Sequence, residues 1–224
     1  MTTPAALAGE PIHARGHSTA TLYEAAHADD ARRRTAGQGQ DLGAWGDIAL
    51  DPSLCATWPG ARVDGPAFTV QGAGGDNLAL HHAVAAAPPG HVLVADLGGA
   101  PFGHWGEVLA VAARARHLTG LVIDGGVRDI DAIRELGFPV FSRNNSVRGT
   151  SKLFQGRLGA DVTVAGAVVR SGDLVVGDSD GVVALPRPRV GAVLDEADTR
   201  VASEREIMTA IRAGCTTLDL YRLP

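Results

Sequence analysis

Three short apolar runs, HVLVAD at residues 91–96, LVID at 121–124 and PVFS at 139–142, constrain this chain more than any other feature. Runs of this length bounded by turn residues are buried strands rather than helices. The first leads through a glycine-containing loop, Gly98–Gly106, into Glu107–His117 (EVLAVAARARH), whose Val108, Leu109, Val111, Ala112 and Ala115 supply a helical apolar face. The second leads through Gly125-Gly126 into a short helix, Asp129–Leu136, stopped by Gly137 and Pro139. Strand, short loop and helix in alternation predict parallel βα units.

The flanks are read the same way. Ala61–Gln71 is β-like, Gly72–Asp76 is a glycine-rich turn, and Asn77–Ala87 is a helix ended by Pro88-Pro89-Gly90. Beyond Gly149, the runs Val162–Val164, Ala167–Arg170, Leu174–Gly177 and Val182–Leu185 read as a meander or barrel wall. Val190–Ala213 is a long helical stretch ended at Gly214. Near the start, Thr19–Ala28 reads as a short helix capped by Ser18 or Thr19, and Asp29–Trp45 as a loop or frayed helix with Arg32-Arg33-Arg34 on a solvated face. The expected organisation is one structural domain: residues 1–60 an irregular N-terminal region packed on the core, and 61–224 the principal α/β domain with a β-rich layer and a C-terminal helix.

Composition excludes several classes of function. A formal net charge of -5 disfavours binding driven by neutralising nucleic-acid phosphates. No apolar run approaches the ~20 residues of a membrane helix, and Met1–Gly16 lacks the basic and apolar regions of a secretory signal. Cys55 and Cys215 cannot make a four-ligand zinc site or a disulfide framework, so a cytoplasmic setting is expected. Lys152 is the only lysine, so Schiff-base chemistry would hang on that residue.

Three apparent motifs are better read as structural. GAGGDN (Gly72–Asn77) departs from the dinucleotide fingerprint at Asn77 and is read as a structural turn. His81 and His82 point about 100° apart on a helix and are poorly placed to share a metal. Asp178-Ser179-Asp180-Gly181 lacks the closing glutamate of a calcium loop and is read as a hairpin turn.

The two loops that follow HVLVAD and LVID are the informative pair. Parallel neighbouring strands would open both at one carboxyl edge, where α/β folds bind ligands. Gly106-Glu107-Val108-Leu109 would then present free helix N-terminal amides to a carboxylate or phosphate. Arg128 and Asp129 can face one pocket together only from a turn, which Gly125-Gly126 would provide. Asp129 with Glu107 offers hard oxygen ligands for Mg²⁺ or Mn²⁺. With Arg128 they could steady the charge developing on a 2-oxo acid. The bland alternative makes Arg128-Asp129 a capping ion pair and Glu107 a first-turn acid.

At these residues the chain resembles the family of 4-hydroxy-4-methyl-2-oxoglutarate aldolases and regulators of ribonuclease E activity. The likeness lies in GPAFTV (Gly65–Val70), GDNLALH (Gly75–His81), WGEVLAVAARAR (Trp105–Arg116), GLVIDGGVRDIDAIRELGFPVF (Gly120–Phe141) and GDLVVGDSDGVVALP (Gly172–Pro186). An acidic residue, twenty residues and then Arg-Asp is the aldolase spacing, met here by Glu107 and Arg128-Asp129. The resemblance implies a β/β/α swivelling-domain fold and a divalent-metal lyase that yields pyruvate, often with an oxaloacetate decarboxylase side activity.

It further implies that Asp129 binds Mg²⁺ or Mn²⁺ directly and Glu107 holds metal-bound waters, one of which serves as acid and base. Arg128 would grip the keto oxygen, while Gly106 and the amides of Val108 and Leu109 take the pyruvyl carboxylate. A trimer, or a hexamer of two trimers, is implied as well. Glu204 on the C-terminal helix would then be contributed across the subunit interface, with Glu206 the other possible match.

Asp29–Ser53 departs from the family pattern, and His104-Trp105 with Asn144-Asn145-Ser146 are read as lining the substrate's distal end. The leading expectation is thus a metal-dependent lyase acting on a small 2-oxo acid. The alternative is a non-catalytic regulator that binds a ribonuclease, and nothing in the chain resembles a methyl-donor site.

Overall fold

The structure, a computed structural model, describes residues 12–37 and 47–224. A mixed sheet of eight strands organises it. Four parallel strands form its centre: β2 (Val63–Gln71), β3 (Val92–Trp105), β4 (Gly120–Val127) and β5 (Val140–Asn145). The strand order is β1-β5-β4-β3-β2-β9-β10, with β1 (Cys55–Ala56), β9 (Leu174–Asp178) and β10 (Gly181–Leu185) on the flanks and β6 (Arg157–Leu158) paired to β2. The hairpin of β7 (Val162–Val164) and β8 (Ala167–Val169) forms its own two-stranded sheet. The later β runs therefore do not close a barrel: two extend the main sheet and two cover it.

Each face has its own apolar layer, as βα connections require. Helices α2 (Leu78–Ala86), α3 (Glu107–Ala115) and α4 (Ile130–Leu136) cover one face. There Leu80, Leu109, Ala110 and Ile133 pack on Phe68, Leu93, Leu121 and Ile123. The β7–β8 hairpin covers the other face through Val162, Val164, Ala167 and Val169 against Val92, Val94 and Val122. A third cluster joins α1 (Thr19–Thr35) and α5 (Val190–Arg212) to β9 and β10 through Leu22, Ala25, Leu174, Val183, Val193 and Leu194. The buried residues of α5 end at Ala197, so its outer half and the following α6 (Thr217–Tyr221) stand away from the core.

Three local expectations need correction. Helix α1 does not fray at Ala28 but runs to Thr35, capped by Ser18. Its second half has no apolar periodicity; charge holds it instead, Arg189 gripping Asp29 and Asp30 in a buried triad and Arg32 pairing with Glu196 at 2.5 Å. Residues 38–45 of the expected loop lie outside the described residues, as does most of Met1–Gly16. Gly98–Gly106 is not a free loop: β3 continues through it to Trp105 with three register shifts against β4. Gly125-Gly126 likewise belongs to β4 and forms no turn.

Candidate active site

Parallel pairing of β3 with β4 brings the two predicted segments to one edge of the sheet. The Arg128 amide donates to the Trp105 carbonyl at 2.9 Å, which fixes the end of β4 beside the start of α3. Asp129 follows in the left-handed region, with φ 57°. That conformation is costly for a residue with a side chain and is tolerated best by Asp, Asn and Gly. Here it makes the turn that Gly125-Gly126 was expected to make.

Asp129 precedes α4 but gives that helix no side-chain cap. Its Oδ2 instead accepts from the Glu107 amide at 3.1 Å and lies 3.7 Å from Arg128 Nε. Residue 106, where α3 would find its own cap, is a glycine. A Cβ there would collide with the Asp129 carboxylate and press on Arg128 Cγ and Nε at 3.2 and 3.3 Å. Gly106 is thus required by close approach, and a carboxylate from the neighbouring loop does the capping in its place.

A cleft of about 190 Å³ opens at this junction, lined by Gly106, Val108, Leu109, Arg128 and Asp129 on one side and by Asn77, His81 and Lys152 on the other. The first intrahelical bond of α3 runs from the Ala110 amide to the Gly106 carbonyl at 3.1 Å. The amides of Val108 and Leu109 therefore have no partner within the helix, and the helix dipole adds positive potential where they emerge. Arg128 and Lys152 add two full charges. Such a site attracts an anion, and the Asp129 carboxylate beside it is accessible to a cation.

Gly106, Val108, Leu109, Arg128 and Asp129 thus converge as expected. Glu107 adjoins them through its backbone, its side chain exposed at the rim rather than lining the cleft. Glu204 does not line it either: it lies on the outer half of α5, bound by Arg200 Nε at 2.8 Å, and Arg200 in turn pairs with Glu24 of α1. The expected distal-end residues divide. His104 borders the cleft itself, Asn145 and Ser146 line a separate hollow of about 430 Å³ on the other flank of Arg128-Asp129, and Trp105 is fully buried in the core. Among the described residues no group of three or more His, Cys, Asp or Glu is assembled to hold a metal.

The far wall was not anticipated. Asn77, read as part of a structural turn, stands at the N-cap position of α2 without a side-chain cap and instead donates from Nδ2 to the His104 carbonyl at 3.0 Å. Asp76 beside it accepts from Ser151 Oγ at 2.5 Å and from the amides of Leu153 and Leu78 at 2.6 and 2.9 Å. Burial pushes the Asp76 carboxyl up, but these hydrogen bonds outweigh it and hold the pKa at about 2. That clamp sets Lys152 at the cleft. Burial, with the charges of Lys152 and His82, keeps the His81 imidazole below its ordinary pKa. The chain's single lysine was the one available signal for this wall.

Known proteins share this arrangement of elements. A family profile described as RraA-like, Aldolase/RraA, matches residues 19–184. A protein of Halalkalibacterium halodurans, provisionally named a 4-hydroxy-4-methyl-2-oxoglutarate aldolase, is 35% identical over 161 residues, covering 71% of this chain and 77% of that protein. An uncharacterized protein from Pseudomonas syringae pv. tomato superposes with a TM-score of 0.75 at 29% identity, over 93% of this chain and 90% of that one. The RNA-processing inhibitor RraA of Thermus thermophilis, at 24% identity over 70% of this chain and 90% of its own, shares the fold with a TM-score of 0.57. No helix among the described residues is long and apolar enough to cross a membrane. By its sequence match and its α/β fold, the chain belongs to the RraA-like family of aldolases and RraA proteins.

Proposed function

We propose that the protein is a lyase that cleaves, or in reverse forms, the C3–C4 bond of a 4-hydroxy-2-oxo acid, with decarboxylation of oxaloacetate as a side reaction. The observation that carries this reading is the junction of Arg128, Asp129 and the α3 N-terminus, fixed by the 3.1 Å hydrogen bond from the Glu107 amide to Asp129 Oδ2. The aldolase-named relative at 35% identity supports it.

In this reading the amides of Val108 and Leu109, with Gly106 giving room, hold the substrate's C1 carboxylate. Arg128 holds the 2-oxo oxygen and gains strength as negative charge moves onto that oxygen when the C3–C4 pair of electrons shifts. The C4 hydroxyl loses its proton as that carbon becomes a carbonyl, and C3 gains one to complete pyruvate. We assign this proton transfer to water in the cleft, with Glu204 from a second copy of the chain completing the site. The assembly we propose is a trimer, or a hexamer of two trimers, in which the outer half of α5 reaches a neighbour; the exposed Met208 and Ile211 support such a contact.

The donor set also fits Mg²⁺ or Mn²⁺. Such ions keep several waters and need only one or two protein carboxylates, so the lack of a three-residue cluster among the described residues is no obstacle. Asp129 would bind the ion directly, with Glu107 holding its waters from the rim. When bound, the ion supplies Lewis-acid polarisation of the 2-oxo oxygen.

The test is pyruvate release by the purified protein from a panel of 4-hydroxy-2-oxo acids and oxaloacetate, with Mg²⁺, with Mn²⁺ and with excess EDTA. Metal-restored release supports the proposal. Activity unaffected by EDTA overturns the metal dependence, and no release from any substrate leaves the contact regulator as the better account.

A further inference from the structure

His104 is one of the most deeply buried polar residues in the chain, with 0% of its surface exposed. It sits in the irregular final stretch of β3, where the register shifts against β4 leave its ring between two main-chain groups. The Gly75 amide points at Nε2 from 3.0 Å, and the Gly126 carbonyl lies 3.3 Å from Nδ1. An amide can only donate and a carbonyl can only accept. Nε2 must therefore be bare and Nδ1 protonated: a neutral imidazole in one tautomer. Gly125 of β4 makes this possible. A Cβ on Gly125 would stand 3.2 Å from His104 Nδ1, so Gly125 leaves the room the ring needs, while Gly126 is required by the close approach of Phe102 and Asn144.

The two groups joined by the ring lie on the segments that lead into opposite walls of the cleft, Asn77 on one side and Arg128 on the other. Gly126 lies two residues before Arg128 on β4. Gly75 opens the turn that holds the Lys152 wall: its carbonyl accepts from the Ser151 amide at 2.8 Å, and the next residue, Asp76, binds Ser151 and Leu153. Asn77 closes the loop by donating to the His104 carbonyl while its own amide donates to the Ser151 carbonyl at 3.1 Å. Residues 146–156 have no helix or ladder of their own beyond the bridge of Asp76 to Ser151. This set of bonds is what places Lys152.

We infer that His104 is a positioning residue whose neutral ring bolts the Lys152 wall to the Arg128 strand and so sets the width of the cleft. Its protonation would turn Nε2 into a donor facing another donor and release the Gly75 turn. Burial keeps the ring neutral to below its ordinary pKa, against the opposing pull of the Gly126 and Phe102 carbonyls and the Asp76 charge. The other ionisable groups around the cleft are His81 on α2, Lys152 on the far wall, Glu107 on α3, and Arg128 and Asp129 on the near wall. Asp76, with a pKa of about 2, stays ionised throughout the range in which a histidine titrates.

The consequence for the lyase proposed above, on which the kinetic part of this inference rests, falls on substrate capture rather than on bond cleavage. His104→Ala should raise KM by about tenfold, as expected for a part-buried amide left without its acceptor, and change kcat much less. His104→Gln offers a carbonyl to Gly75 and does not titrate; it should restore KM and flatten the acid limb of kcat/KM. His91→Gln, at a ring outside the cleft that meets the Pro89 carbonyl at the start of β3, should leave that limb in place.

A readout independent of activity separates this inference from the assigned reaction. Nitrogen NMR of the ring should report the Nδ1–H tautomer at neutral pH. Hydrogen exchange at the Ser151 and Leu153 amides, corrected for its intrinsic pH dependence, should quicken together as the ring protonates and should not do so in His104→Gln. An Nε2–H tautomer, exchange indifferent to the ring's titration, or an unchanged KM in folded His104→Ala would overturn the inference. If the NMR and exchange results hold while no substrate is cleaved, the bolt stands and the lyase reading fails.

Discussion

The Asp129 carboxylate closes the helix that Glu107 opens, with Oδ2 3.1 Å from the Glu107 amide nitrogen. The N-terminus of α3 and the carboxylate turn after β4 are therefore joined directly. A change at either residue moves the other, and the roles of Asp129 in folding and in chemistry must be separated by choice of substitution.

Asparagine makes that separation. It tolerates the left-handed backbone at residue 129 and can accept from the Glu107 amide through its side-chain oxygen, but it carries no charge. Asp129→Asn should keep the melting temperature near wild type while losing metal-dependent pyruvate release. Asp129→Ala should lose activity and also about 1–2 kcal/mol of stability, from the lost cap and the strained backbone. Thermal melts and the release assay on both variants check this, and an active Asp129→Asn would remove the carboxylate from the chemistry.

Arg128 has half its side chain exposed, and among the described residues its one ion-pair contact, at 3.7 Å, is with Asp129. So loose a pair contributes little to folding, which leaves the guanidinium free for a ligand. Arg128→Ala should leave the unfolding midpoint almost unchanged and cost about 2–4 kcal/mol in the transition state, or about 10²–10³ in kcat/KM. Arg128→Lys should recover only part of this, because an ammonium cannot reproduce the planar fork. Wild-type turnover by Arg128→Ala would end its assigned role.

Local signals made the centre of the molecule legible before its structure. HVLVAD, LVID and PVFS are strands, EVLAVAARA is a helix, and Val190–Arg212 is the long C-terminal helix. What escaped depends on partners distant in sequence. The second half of α1 is held by Arg189 and Glu196, some 160 residues away, and no periodicity announces that. The extension of β3 through Gly98–Gly106 exists because β4 offers it partners out of register. The site shows the same division: the Glu107 and Arg128-Asp129 spacing was readable, while the wall of Asn77, His81 and Lys152 depends on the Asp76–Ser151 clamp.

That clamp has a pH signature. The Asp76 pKa is about 2 in the folded protein against an ordinary value of 3.8, so folding favours the ionised form. Its contribution is fully present above the ordinary value and is lost as pH falls from 3.8 towards 2. Wild type should be more stable than Asp76→Asn at neutral pH, and the gap in urea midpoint should shrink across that acid window. A gap that stays constant to the lower end would mean that the Ser151 and Leu153 contacts do not depend on the carboxylate's charge.

Lys152 permits an unusually clean test of mechanism, because it is the only lysine in the chain and it lies at the cleft. A Schiff-base aldolase would form an imine between that amine and the 2-oxo carbon, and borohydride would reduce it to a stable adduct. The proposed chemistry needs no such bond; it needs the positive charge. Lys152→Arg should therefore retain most of the wild-type rate, whereas Lys152→Ala should raise KM. Wild-type protein treated with borohydride in the presence of oxaloacetate or pyruvate should show no added mass at residue 152. An adduct at that position, together with a dead Lys152→Arg, would replace the charge-stabilised mechanism with a covalent one.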